Sequence, residues 1–504
     1  MQLIEKVYNE NKTSIVLVPE ISLTPQMVNR FIARFGQEEI AVLHSKLSVG
    51  ERYDEWNKIN NGKAKIVIGA RSAIFAPVKD LGLIIIDEEH DSSYKSEGNP
   101  RYDAKEVASQ IAKQNSCSLV LGSATPDMKS YYKALNGEIE LIELTKRANE
   151  SNLPNVEIVD LREELANGNR SMVSTKLYEK IEENLKNKHQ TILFLNRRGY
   201  STFIMCRDCG YTVKCKHCNI TMTYHLKQDK LKCHYCGYEE KKVDTCPECN
   251  SKNIKYFGTG TQKLEEEIKK IFPEASTIRM DIDTVTKKNS HEQILDKFKE
   301  ENIDILIGTQ MIVKGHHFPN VTLVGVMAAD GSLNIEDYRA NERTFQILTQ
   351  VAGRAGRESL PGNVIVQTYN PDSLAIEYSA KQDYKSFYDM EIGLRKQLKY
   401  PPFCDIMVIG ISGQNENNVI KIAESLHKYL KDRIINEKIG LLLYRPVPAP
   451  IDKIKNKYRW RIIIKCIYNE QINGLLQDAL EIGYEQTKKT DTRISIDLNP
   501  NNMM

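Results

Sequence analysis

Long apolar runs are missing from this 504-residue chain. The longest, around Leu83–Ile86 and Val321–Ala329, fall far short of the ~20 residues a bilayer-spanning helix needs. The opening Met1-Gln-Leu-Ile-Glu-Lys carries charge where a secretory signal would have its apolar segment. A soluble, cytoplasmic protein is therefore expected. Neither sign of charge dominates, since 70 Lys and Arg against 67 Asp and Glu leave only +3. Hydrophobic residues at 41% and charged residues at 27% exclude collagen, coiled coil and wholesale disorder. At about 150 residues per domain, roughly three domains are expected. Also lacking is any Gly-x-x-x-x-Gly-Lys-Ser/Thr segment, for the one Gly-Lys pair, Gly62-Lys63, is followed by Ala64.

Cysteine, by contrast, is concentrated. Eight of the eleven fall in one window as four C-x-x-C pairs: Cys206/Cys209, Cys215/Cys218, Cys233/Cys236 and Cys246/Cys249. A disulfide scaffold belongs to small secreted chains, so metal ligation is the better reading. Two-residue spacing lets both thiolates of a pair face one tetrahedral ion, and two pairs complete a four-sulfur site. Eight ligands imply two structural zinc ions. The fourteen-residue gap between Cys218 and Cys233 suits a ribbon hairpin clamped at its base. That assigns Cys215, Cys218, Cys233 and Cys236 to one site, and Cys206, Cys209, Cys246 and Cys249 to the other.

Elsewhere, apolar runs end abruptly in polar, chemically loaded loops, the pattern of parallel strands in an α/β domain. Leu81–Ile86 leads into Asp87-Glu88-Glu89-His90, and Ser118–Leu121 into Gly122-Ser123-Ala124-Thr125-Pro126. Ile303–Ile307 leads into Gly308-Thr309-Gln310-Met311, and Gln350-Val351-Ala352-Gly353-Arg354-Ala355-Gly356-Arg357 follows. Ligands of open α/β sheets bind at the carboxyl ends of strands. An acid directly after a buried strand is costly unless it holds a cation or a proton. Asp87 is placed to orient Mg²⁺ and Glu88 to position an attacking water; an acidic helix cap is the plainer alternative. Arg354 and Arg357, three apart and expected near one helix face, suit a transferring phosphoryl group; a basic loop without chemistry is the alternative.

Two basic stretches stand out. Residues 197–257 hold twelve Lys and Arg against six Asp and Glu, interleaved with tyrosines, and residues 453–465 read KIKNKYRWRIIIK. Positive charge beside aromatics suits a phosphodiester backbone and unstacked bases, although a solvated face is as good an account of either stretch alone.

Taken in order, DEEH, GSATP, GTQMIVKGHHFPNVTLVG and QVAGRAGR, with the four cysteine pairs inserted, resemble the superfamily 2 helicases, and within them the PriA-type replication-restart helicases of bacteria. The resemblance runs through Tyr400-Pro401-Pro402-Phe403 to Tyr458-Arg459-Trp460-Arg461. It implies an α/β fold of two RecA-like lobes, the first incomplete, with a double zinc-ribbon insertion and an α+β C-terminal domain. The boundaries expected are 1–150 for the first lobe, 151–200 for the linker and start of the second, 201–257 for the zinc module, 258–380 for the rest of the second lobe, and 381–504 for the C-terminal domain.

The same resemblance implies an ATP- and Mg²⁺-dependent 3′→5′ DNA helicase of the primosome that remodels arrested forks. Asp87, Gln350, Arg354 and Arg357 would hold the nucleotide, with Asp87, Glu88, Arg354 and Arg357 catalytic. Tyr94 and Tyr102, in a loop like the family's aromatic loop, would meet single-stranded DNA, as would Arg459, Trp460 and Arg461. Forked DNA, primosome loading proteins and single-strand-binding protein would be partners, with no membrane and a monomeric state. The absent phosphate loop implies a first lobe with an exposed sheet edge and little ATPase activity in this polypeptide. A non-catalytic zinc-containing scaffold binding DNA and protein therefore stands as the second reading, and an RNA helicase or restriction-type translocase as a third.

Overall fold

A computed structural model describes residues 1–19, 25–45, 47–145, 153–195, 203–225, 229–256, 260–281, 290–309, 318–356, 362–488 and 490–503. They form two compact units, residues 1–141 and the described residues from 142 onward.

The first unit is a five-stranded, wholly parallel sheet of β1 (Thr13–Leu17), β2 (Ile40–Leu43), β3 (Ile66–Gly69), β4 (Leu81–Asp87) and β5 (Ser118–Gly122), in the order β2-β3-β1-β4-β5. Successive side chains of a strand point to opposite faces. Ile15 and Leu17 accordingly pack with Ala104 and Ala108 of the helix Ala104–Gln114, while Val16 and Val18 pack on the other face with Ile4 and Phe31. Both faces are covered, which is why these strands read as continuous apolar runs. The edge strand β5 differs: Leu119, Val120 and Leu121 are all only half-buried.

The second unit begins with β6 (Asn155–Asp160) and β7 (Gln190–Leu195). An insertion then carries β8 (Ile204–Cys206), β9 (Thr223–His225), β10 (Lys230–Lys232), β11 (Glu239–Lys241) and β12 (Ile254–Tyr256). The sheet resumes with β13 (Thr277–Met280), β14 (Ile305–Gly308), β15 (Val321–Met327) and β16 (Asn363–Thr368), in the parallel order β13-β14-β7-β15-β16-β6. Gly325 in β15 is required by packing: a Cβ there would lie 2.9 Å from both Leu177 and Leu193 side chains.

The C-terminal region is an antiparallel sheet of β17 (Asp405–Gly413), β18 (Leu442–Leu443), β19 (Val447–Ile454), β20 (Lys457–Cys466) and β21 (Arg493–Leu498). The helices Glu416–Asn436 and Glu470–Thr487 share one apolar core with β17 and β20. The expected α/β architecture with a zinc-ribbon insertion and an α+β C-terminal domain is what the chain adopts. Among the described residues, no helix is long and apolar enough to cross a membrane.

Candidate functional site

Because the first sheet is parallel, Leu17, Gly69, Asp87 and Gly122 all end at one edge of it. Asp87 closes β4. Burial pushes its carboxyl above the usual carboxylate range, against the pull of the Glu88 amide, which donates to Asp87 Oδ1 at 3.1 Å. A bound cation would reverse that shift. Glu88 is left-handed, with φ 47°, a conformation costing a non-glycine residue on the order of 1 kcal/mol and concentrated at functional sites. The turn it makes brings His90 Nδ1 to 2.7 Å from Ser123 Oγ, which in turn accepts from the Thr125 amide at 3.0 Å. The acidic loop and the Gly122–Pro126 loop are thus joined through one imidazole.

Behind this surface lies a buried charge cluster. Glu89, 1% exposed, accepts from Lys105 Nζ at 2.9 Å, the Asp127 amide at 2.7 Å and Ser130 Oγ at 3.0 Å. Lys105 also pairs with Asp127, which caps the helix Met128–Leu135 through the Ser130 amide. Burial and the neighbouring Asp127 charge push Glu89 up to about 7. Burial acts on Asp127 in the same sense, but Lys105 more than reverses it and holds that carboxyl low. The cluster fixes where the acidic loop stands relative to the helix after Pro126.

Tyr94 departs from expectation. It is 1% exposed, and its hydroxyl donates to the Asp87 carbonyl at 2.6 Å and lies 3.1 Å from that of Leu17. Instead of stacking on a base it braces the ends of β1 and β4, because an aromatic ring beside two sheet strands gains more from burial than from solvent. Tyr102 remains half-buried at the surface, edge-on to Phe75 at 5.0 Å and under the Arg71 guanidinium at 5.6 Å. Arg71 also donates to the carbonyls of Ser93 (3.1 Å) and Lys95 (2.8 Å), tying residues 71–75 to the segment 91–102.

In the second unit the helix Ala340–Ala352 carries Gln350 in its last turn. The expected helical placement does not hold for Arg354. The helix stops at Ala352, and Arg354 lies in the turn that follows Gly353. Gly356, at φ 63°, donates its amide to the Val321 carbonyl at 3.2 Å, and a Cβ on Gly362 would lie 2.4 Å from the Ala355 carbonyl carbon. The glycines allow this close backbone crossing at the base of β15. Arg357 lies outside the described residues.

The cysteines gather into the two sets that the spacing suggested: Cys206, Cys209, Cys246, Cys249 and Cys215, Cys218, Cys233, Cys236, with all sulfurs of a set within 4.8 Å of one another. Sulfur pairs Cys206–Cys249, Cys209–Cys246 and Cys215–Cys236 stand 3.6, 3.5 and 3.5 Å apart. Tetrahedral Zn–S bonds of ~2.3 Å would place sulfurs about 3.8 Å apart, so both sets fit zinc. Four thiolates leave no open position, and a metal here would stiffen the module without entering a reaction.

The second of these knuckles is a meeting point. The His234 amide donates to Glu336 Oε1 at 2.5 Å, while Glu336 Oε2 accepts from Thr223 Oγ1 at 2.6 Å. The His234 carbonyl accepts from Arg461 Nε at 3.1 Å and Nη2 at 2.5 Å, and its ring Nδ1 lies 3.0 Å from the Pro448 carbonyl. Tyr400 donates its hydroxyl to the Cys218 carbonyl at 3.2 Å and stacks on Tyr338 at 4.8 Å. Arg395, 4% exposed, pairs with Glu342 at 2.7 Å and Glu391 at 3.0 Å. Zinc module, C-terminal domain and the start of the helix leading to Arg354 are therefore one packed assembly.

This corrects the assignment of Arg461, which at 4% exposure is spent on the His234 carbonyl and not available to DNA. Trp460 packs against the C-terminal core, and Arg459 reaches the Ile451 carbonyl at 3.4 Å. Nothing local in the sequence marks Glu336, Arg395 and Tyr400 for this site, because the partners that define it lie 102 and 113, 53, and 182 residues away along the chain.

Family profiles match four stretches: DEAD/DEAH box helicase over residues 1–134, PriA DNA helicase Cys-rich region over 215–241, helicase conserved C-terminal domain over 241–359, and primosomal protein N C-terminal domain over 396–501. The replication restart protein PriA of Rickettsia conorii is 39% identical over 500 residues, covering 99% of this chain and 75% of that protein. The chain belongs to the PriA family. PriA of Bacillus subtilis is 52% identical over all 504 residues, which make up 62% of its length. PriA of Haemophilus influenzae is 37% identical over 505 residues, 100% of this chain and 68% of that protein. The chain thus spans about three-fifths to three-quarters of the length of these PriA relatives.

Proposed function

We propose that this chain is the motor, zinc-module and C-terminal portion of an ATP-dependent 3′→5′ DNA helicase that remodels arrested replication forks. The observation that carries the reading is the joining of Asp87-Glu88 at the end of β4 to the Gly122–Pro126 loop through His90 and Ser123. Such a link lets a change at a nucleotide be felt by the loop beside it. Asp87 would hold Mg²⁺, Glu88 would orient water, and Gln350, Arg354 and Arg357 would meet the triphosphate. Bound ATP supplies the phosphoryl transfer; the protein's contribution is placement and charge stabilisation. Tyr102, braced by Arg71 and Phe75, is the aromatic of its loop best placed to face single-stranded DNA. Primosome loading proteins and single-strand-binding protein would be partners of a monomeric, cytoplasmic enzyme.

The 504 residues contain no Gly-x-x-x-x-Gly-Lys-Ser/Thr, whose amides and lysine cradle the β- and γ-phosphates. On its own this polypeptide is expected to hydrolyse ATP little or not at all. That feature favours a second reading, a non-catalytic zinc-containing scaffold that binds DNA and protein. The helicase reading is tested by unwinding assays on forked DNA and on duplex RNA, with the chain joined to a relative's phosphate-loop segment. Unwinding of DNA alone supports it. Unwinding of RNA alone, or of neither, overturns it.

A further inference from the structure

With Arg461 turned inward, the basic run of the C-terminal domain has a different outer end. The β19–β20 hairpin closes on Lys455 and Asn456, both left-handed with φ 48° and 61°, and pairs Lys453 with Tyr458 and Ile454 with Lys457. Two consecutive left-handed residues make the tight turn that matches strand twist. The ladder is broken between Pro448 and Lys453, so the tip is set off from the body of the sheet. Residues 452–456 are exposed, and Asp452 is the one acid between positions 452 and 466. Alternation along the strands puts Lys457 and Arg459 on one face with Ile454, and Lys453 on the other with Tyr458, while Lys455 crowns the turn. Lys453, Lys455 and Lys457 form no ion pair among the described residues; Lys453 instead sits 4.4 Å over the Tyr458 ring.

We propose that this hairpin tip, and not the Arg459–Arg461 strand, is the C-terminal domain's contact with the phosphodiester backbone of DNA. Like charges brought together at a protruding tip repel one another unless counter-charge is supplied, and a polyphosphate supplies it. Cations on both faces and at the apex suit a cleft flanked by phosphates. The Tyr458 face is covered by Lys453, so the contact is ionic, indifferent to base sequence and independent of stacking.

The inference rests on the reading of the chain as DNA-binding, and the test separates the two. The full chain and its K453A/K455A/K457A variant are titrated with a 20-nucleotide single strand and with a duplex of the same length, across a salt series. Each lost phosphate contact lowers the slope of log K against log salt by ~0.7 on single strands and ~0.9 on duplex. Three lost contacts therefore reduce it by about 2 or about 2.7, and the arm that shows the drop identifies the strand form bound. A K421A/K428A/K431A variant, on the exposed side of the helix Glu416–Asn436, removes the same charge elsewhere and should keep the wild-type slope. An unchanged slope in the hairpin variant, or an equal drop in the helix variant, overturns the proposal while leaving DNA binding intact. No salt-dependent binding by the wild-type chain overturns both.

Discussion

Replacing Glu336 by alanine should loosen the Cys215/Cys218/Cys233/Cys236 site without touching a ligand. Glu336 is 2% exposed and holds the His234 amide and the Thr223 hydroxyl, both themselves buried. Hydrogen bonds to a charged group contribute about 1.5–3 kcal/mol each, so the pair is worth about 3–6 kcal/mol. Burial, which pushes the Glu336 carboxyl up to about 7 against the pull of Arg461, takes back part of this and leaves about 2–4 kcal/mol. At tenfold per 1.4 kcal/mol, local opening of the knuckle becomes roughly 30- to 700-fold more frequent. Zinc transfer to a colorimetric chelator, under conditions where opening limits the rate, reads this directly. The Cys206/Cys209/Cys246/Cys249 site is an internal control, since Glu336 bonds none of its residues. One zinc should leave E336A faster by about that factor while the other keeps its rate. Equal release of both ions from E336A and wild type would refute the reasoning.

Two further outcomes follow from the buried charges. Glu89, lifted to about 7 by burial and by Asp127, favours its protonated form in the folded state. Its share of stability is complete below its ordinary titration near 4.5 and is lost as pH rises to about 7. The difference in thermal midpoint between wild type and E89Q should therefore shift against wild type between pH 4.5 and 7; a pH-independent difference would contradict the placement of Glu89. Arg395→Ala should cost about 3–5 kcal/mol by leaving Glu342 and Glu391 buried without their cation, seen as a lower denaturation midpoint, whereas a change under 1 kcal/mol would contradict it.

The cysteine pairs were fully legible in the sequence, because two-residue spacing and the fourteen-residue hairpin gap are local geometry. Parallel strands were legible for a related reason: a run such as Leu83–Ile86 must be apolar on both faces if both faces are covered. The end of the arginine helix was not read correctly. It stops at Ala352, and the crossing that follows, where Gly356 bonds Val321 and Gly362 passes the Ala355 backbone, brings together strand and loop segments far apart in sequence. Tyr94 and Arg461 carry letters that suit a nucleic-acid surface, and only the packing of β1, β4 and the His234 knuckle turns them inward. Glu336 finds its partners 102 and 113 residues away, a distance at which no spacing rule operates.

The most direct test of the motor reading is DNA-stimulated ATP hydrolysis by the 504-residue chain, by the same chain preceded by a phosphate-loop segment from a PriA relative, and by the D87N form of the latter. Activity that is absent in the first, present in the second and lost in the third is the predicted result. Hydrolysis that survives D87N, or that fails to arise when the loop is restored to a folded, zinc-loaded chain, would contradict it.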